Sequence, residues 1–229
     1  MDNFEETLKN PVWHALSEAH EKFAISLNGV KFYDPKICPF GAFETPEKTS
    51  KALNEYAKLT NDFFLVSENI DPIFDEKFVV LDRKIEGVQM VLKGALEDCI
   101  ITEEIVPLTE EHVDKIYDLI WLVMPGYYKK RSFDMGSYFG IFKDNILVAV
   151  TGQRIQTNSF IEVSGVVTHP NYTRRGLAKQ LVAHTTKEIL KTGKKAILHT
   201  TKGNAAIKLY EKLGYTLTRE MNWWYFHKK

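Results

Sequence analysis

Beyond residue 163 the chain runs Val163-Ser164-Gly165-Val166-Val167-Thr168, then the turn Thr173-Arg174-Arg175-Gly176-Leu177-Ala178, an amphipathic stretch and a second apolar strand. It closes this run on Asn204-Ala205-Ala206-Ile207-Lys208-Leu209-Tyr210-Glu211-Lys212-Leu213-Gly214-Tyr215. A short glycine-containing turn feeding a helix gathers unpaired backbone N–H groups at one point, where the helix dipole also favours an anion. Gly176 removes the side chain that would block the approach to the backbone. Ala178 keeps the first helical turn slim, and Arg174, Arg175 and Lys179 add positive charge. A pyrophosphate fits such a cradle. Alone, the turn is more often an ordinary strand-to-helix connection. What singles it out is the second run ending on Tyr210 and Tyr215, at a separation that accommodates one helix, one strand and a turn.

Three segments carry a resemblance: Val167-Thr168-His169-Pro170-Asn171-Tyr172 before the turn, Gly176-Leu177-Ala178 within it, and Leu209-Tyr210-Glu211-Lys212-Leu213-Gly214-Tyr215 after it. Together they resemble the GCN5-related N-acetyltransferase (GNAT) superfamily and, within it, the FR47-like group. The resemblance covers residues 104–229, and nothing comparable marks the first hundred residues. It implies an α+β fold, a mixed central sheet flanked by helices, with an additional N-terminal α+β half. It also implies an acetyl-CoA-dependent N-acetyltransferase, with acetyl-CoA as co-substrate and no metal. The acceptor would be the amine of a small molecule, an amino-acid derivative or a peptide.

At 229 residues and 44% hydrophobic content, the chain can bury a sizeable core as one large domain or two small ones. No apolar run reaches membrane-spanning length. The start Met1-Asp2-Asn3-Phe4-Glu5-Glu6 lacks the basic residues and apolar stretch of a secretory signal, so a cytoplasmic protein without a membrane partner is expected. Cys38 and Cys99 are far apart and without metal-type spacing, which favours free thiols over a disulfide or a zinc site. Net charge is zero, yet residues 1–103 hold 11 Lys and Arg against 19 Asp and Glu, a net of −8, and residues 104–229 hold the reverse, +8. A basic C-terminal half suits a multiply phosphorylated ligand. Nucleic acid is the rival partner, but Lys187, Lys191, Lys194 and Lys195 are spaced as on a solvated helix face, and no nucleic acid is expected.

Asn10-Pro11 reads as a cap with proline at the first helical position, followed by Val12, Leu16 and Ala19 at helical spacing. Residues 28–43, with Gly29, Pro35, Pro39 and Gly41, read as turns. Thr45-Pro46-Glu47-Lys48 repeats the cap pattern before a helix faced by Ala52, Tyr56 and Leu59. Strands are expected at 63–66, 78–81 and 88–92. Residues 1–103 thus read as an α+β unit with its own core and no residue that announces chemistry.

A GNAT domain, 104–229, opens with a strand at 105–108 and a helix starting at Thr109, carrying Ile116, Leu119, Ile120 and Val123 and ended by Pro125-Gly126. Strands at 138–142 and 146–154 flank Lys143-Asp144-Asn145, a hairpin signature. A strand at 160–168, a helix at 176–190, a strand at 194–200, a helix at 205–213 and a closing strand or hairpin at 215–227 complete the reading. Two helix-plus-strand halves in sequence raise a degenerate duplication.

Acetyl transfer from a thioester to an amine needs a held donor, a deprotonated amine, a stabilised oxyanion and a proton for the departing thiolate. The resemblance implies that the donor lies between the strands ending at Thr168 and Thr200. Its pantetheine arm would bond edgewise to the backbone of Val166, Val167 and Thr168, one N–H polarising the acetyl carbonyl. The pyrophosphate would take the backbone of Thr173, Arg174, Arg175, Gly176, Leu177, Ala178 and Lys179. The family usually has Gln or Arg three residues before the glycine and a second glycine next; here Thr173 and Arg174 stand there. Asn204 would contact the pantetheine, though it precedes Tyr210 by six residues where the family has seven, as a one-residue deletion would leave it.

Tyr210 is the implied proton donor. A phenol near ~10 facing a thiol near ~8.5 is a sluggish acid that needs help from position and field. Ala206, Leu209, Tyr210 and Leu213 also form an apolar helical stripe, so a core role for Tyr210 stays open. The base is Glu162, His199 or a water relay. Glu162 shares a strand face with Ser164 and Val166, and His199 ends the next strand; for the histidine, an ordinary structural role is the alternative. Tyr127, Tyr128, Phe133, Trp223 and Trp224 either line the acceptor pocket or form core.

A second reading is a non-catalytic acyl-CoA-binding sensor whose acidic half engages a partner protein, with the acceptor cleft plugged by N-terminal side chains. The N-terminal half has three open roles: a pocket lid, a homodimer surface or an ancestral duplicate stripped of function.

Overall fold

Two short helices, α1 (Phe4–Lys9) and α2 (Pro11–Ala15), precede β1 (Ala24–Leu27), β2 (Val30–Tyr33), β3 (Phe40–Phe43), α3 (Thr49–Tyr56), β4 (Asp62–Ser67) and β5 (Val79–Leu92) in the computed structural model, which describes residues 4–229. Then come β6 (Val106–Leu108), α4 (Val113–Val123), β7 (Tyr138–Lys143), β8 (Ile146–Gln156), β9 (Phe160–Thr168), α5 (Leu177–Lys191), β10 (Lys195–Thr201), α6 (Ile207–Glu211) and β11 (Tyr215–Lys228). All eleven strands form one sheet in the order β1-β2-β3-β4-β11-β5-β10-β9-β8-β7-β6.

Pairing in this sheet reads nearly the same from both ends. β2 pairs antiparallel with β1 on one side and β3 on the other, β3 and β4 run parallel with α3 between them in sequence, and β4 meets β11 antiparallel. From the other side, β7, β8 and β9 are antiparallel, β9 and β10 run parallel across α5, and β10 meets β5 antiparallel. The long strands β5 and β11 pair with each other at the centre. This is the arrangement a duplication would leave. Its two last strands are exchanged: β5 follows β4 in sequence but joins β10, and β11 follows β10 but joins β4.

The exchange corrects the expectation of a separate N-terminal core. One cluster joins Leu8, Val12 and Phe40 to Phe160, Ile197, Met221 and Trp223. Alternation along the strands puts Val91, Phe160 and Ile197 on that face, covered by α1 and α2, and Met90, Ile161, Ala196 and Leu198 on the opposite face, against α5 and α6. No break in the sheet falls at the expected boundary of 103/104.

Other differences are local. Residues 28–43 contain β2 and β3 rather than turns only: Asn28 and Gly29 take φ of 50° and 81° and turn a two-residue hairpin whose Leu27 and Val30 face each other. The two strands expected at 78–81 and 88–92 are one strand, because β11 supports the polar stretch between them along its whole length. Asn10 does not cap α2; its side-chain amide donates to the Phe43 carbonyl at 2.8 Å. The expected hairpin at Asp144-Asn145 forms, with φ of 50° and 63°. Among the described residues no helix is long and apolar enough to cross a membrane.

Candidate active site

β9 and β10 pair only from Lys195↔Phe160 to Ile197↔Glu162. Past that point β9 keeps β8 as its partner as far as Thr168, and β10 keeps β5 as far as Thr201. The two therefore diverge, leaving backbone unspent on the sides that face the gap. A bulge helps to part them: Gly165 and Val166 lie between the Ser164↔Gly152 and Val167↔Val150 pairs, where β8 has only Thr151. Gly165 sits at φ 61°, and a Cβ there would lie 3.7 Å from its nearest neighbour, so conformation rather than space demands glycine.

Thr168 leads into the turn. Arg174 and Gly176 both adopt left-handed backbone, φ 63° and 76°, and Gly176 caps α5 without any side-chain bond. The first backbone bond of the helix is from Gln180 N–H to the Gly176 carbonyl, at 3.2 Å. Among the described residues the N–H groups of 174–179 have no acceptor, and residues 173–176 are exposed. Free N–H groups gathered in this way can receive an anion. Arg175 does not reach over them: its guanidinium lies 4.8 Å from the Tyr172 ring centroid and donates to the Asn171 carbonyl. Gln180, unmarked by any sequence pattern, ties the turn to the inter-half linker, its Oε1 accepting from Thr102 N–H at 2.7 Å and Glu103 N–H at 3.0 Å.

A cavity of about 370 Å³ occupies the gap between β9 and β10. Val163, Ser164, Gly165 and Val166 line it along β9, and His199, Thr200 and Thr201 along β10, with Asn204 and Tyr210 beyond. Phe40, Ile85, Met124, Tyr127, Arg154 and Trp223 complete the wall. Tyr210 is 6% exposed, and its hydroxyl has no hydrogen-bond partner among the described residues. Burial pushes its pKa up to about 12. Asn204 is locally committed: its Nδ2 donates to Thr200 Oγ1 at 2.8 Å, and its Oδ1 accepts from Ala206 N–H at 2.9 Å, shaping the entry to α6. Of the expected aromatics, Tyr127 and Trp223 line the cavity. Tyr128 and Phe133 pack on Tyr138, and Trp224 belongs to the core around β4, its indole donating to Ser67 Oγ.

The two expected bases need correction. Glu162 is fully buried and does not line the cavity. Its Oε2 accepts from Arg154 Nε at 2.9 Å and Ile155 N–H at 3.3 Å, and its Oε1 from Arg154 Nη2 at 2.9 Å and His199 Nδ1 at 2.8 Å. A carboxylate offers about four lone-pair positions, and all are filled. His199 does reach the cavity wall, but both ring nitrogens are engaged, Nδ1 on Glu162 and Nε2 on Gln89 Nε2 at 3.1 Å. Gln89 Nε2 also donates to the Leu8 carbonyl at 3.0 Å, so that atom is the amide nitrogen and His199 Nε2 must be the acceptor. His199 is thereby held with its proton on Nδ1. A buried polar row, Arg154-Glu162-His199-Gln89, crosses β8, β9, β10 and β5.

Sequence reasoning missed Gly165, Arg154, Gln89 and Gln180. An isolated glycine in an apolar strand was the available sign for the bulge. Gln89 between Val88 and Met90 was the sign for a buried polar contact. Among the described residues no cluster of His, Cys, Asp and Glu could hold a metal ion.

The FR47-like protein family profile matches residues 138–224, the stretch from β7 through most of β11. No curated protein matches the chain in sequence. Among solved structures, a GNAT-family protein of Novosphingobium aromaticivorans is 28% identical, with a TM-score of 0.85 over 97% of this chain and 98% of that one. A GCN5-related N-acetyltransferase from Kribbella flavida is 16% identical, with a TM-score of 0.62 over 94% of this chain and 95% of that one. A GCN5-related N-acetyltransferase-like protein from Streptococcus suis is 14% identical, with a TM-score of 0.63 over 95% and 93%. These last two share the fold. The profile match over residues 138–224 and the likeness to the Novosphingobium aromaticivorans protein along nearly the whole chain support the GCN5-related N-acetyltransferase superfamily, FR47-like group, and an acyltransferase built on that fold.

Proposed function

We propose that the chain is an acetyl-CoA-dependent N-acetyltransferase acting on a small amine, an amino-acid derivative or a peptide. One observation carries this reading: a single cavity joins the unspent backbone of β9 at its bulge to an unpartnered tyrosine hydroxyl. Acetyl-CoA supplies an acyl group already activated as a thioester. The N–H groups of 174–179 fit its pyrophosphate, and the backbone of Val166, Val167 and Thr168 suits its amide-bearing arm. Donors fixed at the bulge stabilise charge developing on the carbonyl oxygen without reorganising.

Tyr210 Oη keeps its proton at neutral pH because burial disfavours the phenolate; the same burial weakens it as an acid, so its donation toward a departing thiolate depends on its position beside the sulfur. With Glu162 and His199 committed to each other, the amine proton leaves through water at the cavity mouth. Their shared role is to hold the cavity wall. The sensor reading called for a cleft plugged from the N-terminal half, whereas Phe40 and Ile85 line an open cavity.

Calorimetry with acetyl-CoA and thiol-release assays over a panel of amines test the proposal. Wild type and Tyr210→Phe should bind the donor alike, while turnover falls about 10²- to 10⁴-fold in the variant. Equal rates would remove Tyr210 from the chemistry. Absence of donor binding would overturn the proposal.

A further inference from the structure

We infer that the acceptor is a carboxylated amine with an apolar body, and that Arg154 is its anchor; this rests on the acetyl transfer proposed above. Nε and Nη2 of Arg154 are spent on Glu162, but Nη1 has no acceptor among the described residues. Its side chain is 18% exposed and lines the cavity. The guanidinium cannot swing away to find another partner, because the carboxylate fork holds one edge and the Phe40 ring lies 4.8 Å from its carbon. Two N–H donors in a fixed plane at a largely desolvated wall call for an anionic oxygen, and a carboxylate matches that geometry.

The rest of the wall narrows the class. Among the described residues no Asp or Glu lines the cavity, and Glu162 behind it has no lone pair left, so no carboxylate there would hold a second ammonium group. Polyamines are thus poor acceptors. Phe40, Ile85, Met124, Tyr127 and Trp223 offer an apolar surface instead. Tyr127 and Phe40 both pack on Phe64, which fixes their positions. Phe40 and Ile85 come from the first half of the chain, so that half takes part in selecting the acceptor.

Product analogues separate this inference from the reading beneath it. The full chain is first titrated with CoA; no heat removes both. The CoA-saturated protein is then titrated with N-acetyl-L-phenylalanine and with N-acetylphenethylamine, which differ only in the carboxylate. The acid should bind roughly 10- to 100-fold more tightly, the range for a hydrogen bond to a charged group. In the double variant Arg154→Gln with Glu162→Gln, which leaves neither charge buried alone, the preference should vanish while CoA still binds. Equal affinity of the two probes for wild type, or no binding of either, overturns the inference and leaves acetyl transfer standing. A preference that survives in the double variant overturns Arg154 as anchor. The wild-type comparison decides the matter even if the variant fails to fold.

Discussion

Glu162→Gln should be among the most damaging single substitutions in this protein. The carboxylate is fully buried and accepts four hydrogen bonds, two of them from Arg154 in a bidentate fork. A glutamine keeps one oxygen but turns an amide donor toward either the guanidinium or the His199 N–H, and leaves the Arg154 charge uncompensated. Removing one partner of a buried pair costs about 3–5 kcal/mol. At about 2–4 °C per kcal/mol for a chain of this size, Tm should fall by roughly 6–20 °C. Replacing both partners, Arg154→Met with Glu162→Leu, should cost less than the single change, because no charge is left stranded.

The pH dependence has a definite sign. Burial alone would raise the Glu162 pKa; the Arg154 charge and the His199 bond overcome it and hold the carboxyl well below the usual range. Stability from this group is therefore complete above the ordinary carboxylate pKa of about 4.3 and is lost as pH falls below it. Urea unfolding followed by circular dichroism from neutral pH into the acid range should show a flatter acid limb in the variant. A Tm within about 2 °C of wild type, or an unchanged acid limb, would refute this account.

Two further outcomes follow from the backbone and from a buried imidazole. Gly176→Ala meets no steric obstacle, its nearest neighbour being Gln180 Nε2 at 4.0 Å, so only the left-handed φ of 76° resists it, at about 1–2 kcal/mol. A Tm drop of a few degrees should accompany CoA binding weakened by about tenfold or more in calorimetry, and unaltered affinity would show that the turn is not the cradle. His20 is 3% exposed and bonded to Tyr33 Oη at 2.9 Å and the Met135 carbonyl at 3.2 Å, and burial lowers its pKa to about 4. Its contribution is present above the unfolded value of about 6.5 and is lost as pH falls toward about 4, up to about 3 kcal/mol. His20→Gln should flatten the stability curve across that window in chemical unfolding, and an unaltered slope would contradict the assignment.

What could be read along the chain was whatever is encoded locally. The Gly176 turn, α5, the Asp144-Asn145 hairpin and the helix ended by Pro125-Gly126 each rest on residues a few positions apart, and each formed as expected. The Asn28-Gly29 hairpin was equally local, but prolines and glycines on both sides of it read as continuous turn. The active-site network could not be read in this way. Arg154 and Glu162 are eight positions apart, Glu162 and His199 thirty-seven, and His199 and Gln89 one hundred and ten. A strand pattern tells which face a side chain takes; it does not tell which strand lies beside it. Glu162 therefore looked like a free carboxylate on a cleft strand, although its neighbours in the sheet consume every oxygen lone pair.

The exchange of β5 and β11 builds the first half into the same sheet as a site it does not outwardly resemble. Its own parallel pair, β3 and β4, repeats the β9 and β10 arrangement, but Thr45-Pro46-Glu47-Lys48 replaces the glycine turn and none of these residues adopts left-handed backbone. Every residue of β3 is buried, and so are its partners on β4, Phe64, Leu65 and Val66; β3 ends one residue past the last of these pairs, so it has no long stretch beyond its pairing such as β9 has. Among the described residues the first half has neither that divergence nor that turn. It supplies β5, and with it Gln89, which fixes the His199 tautomer from across the sheet, while Phe40 and Ile85 line the cavity. The two halves are chemically unequal because the second has the parted strands and the left-handed Gly176 turn, while the first completes the wall of the cavity that those strands open.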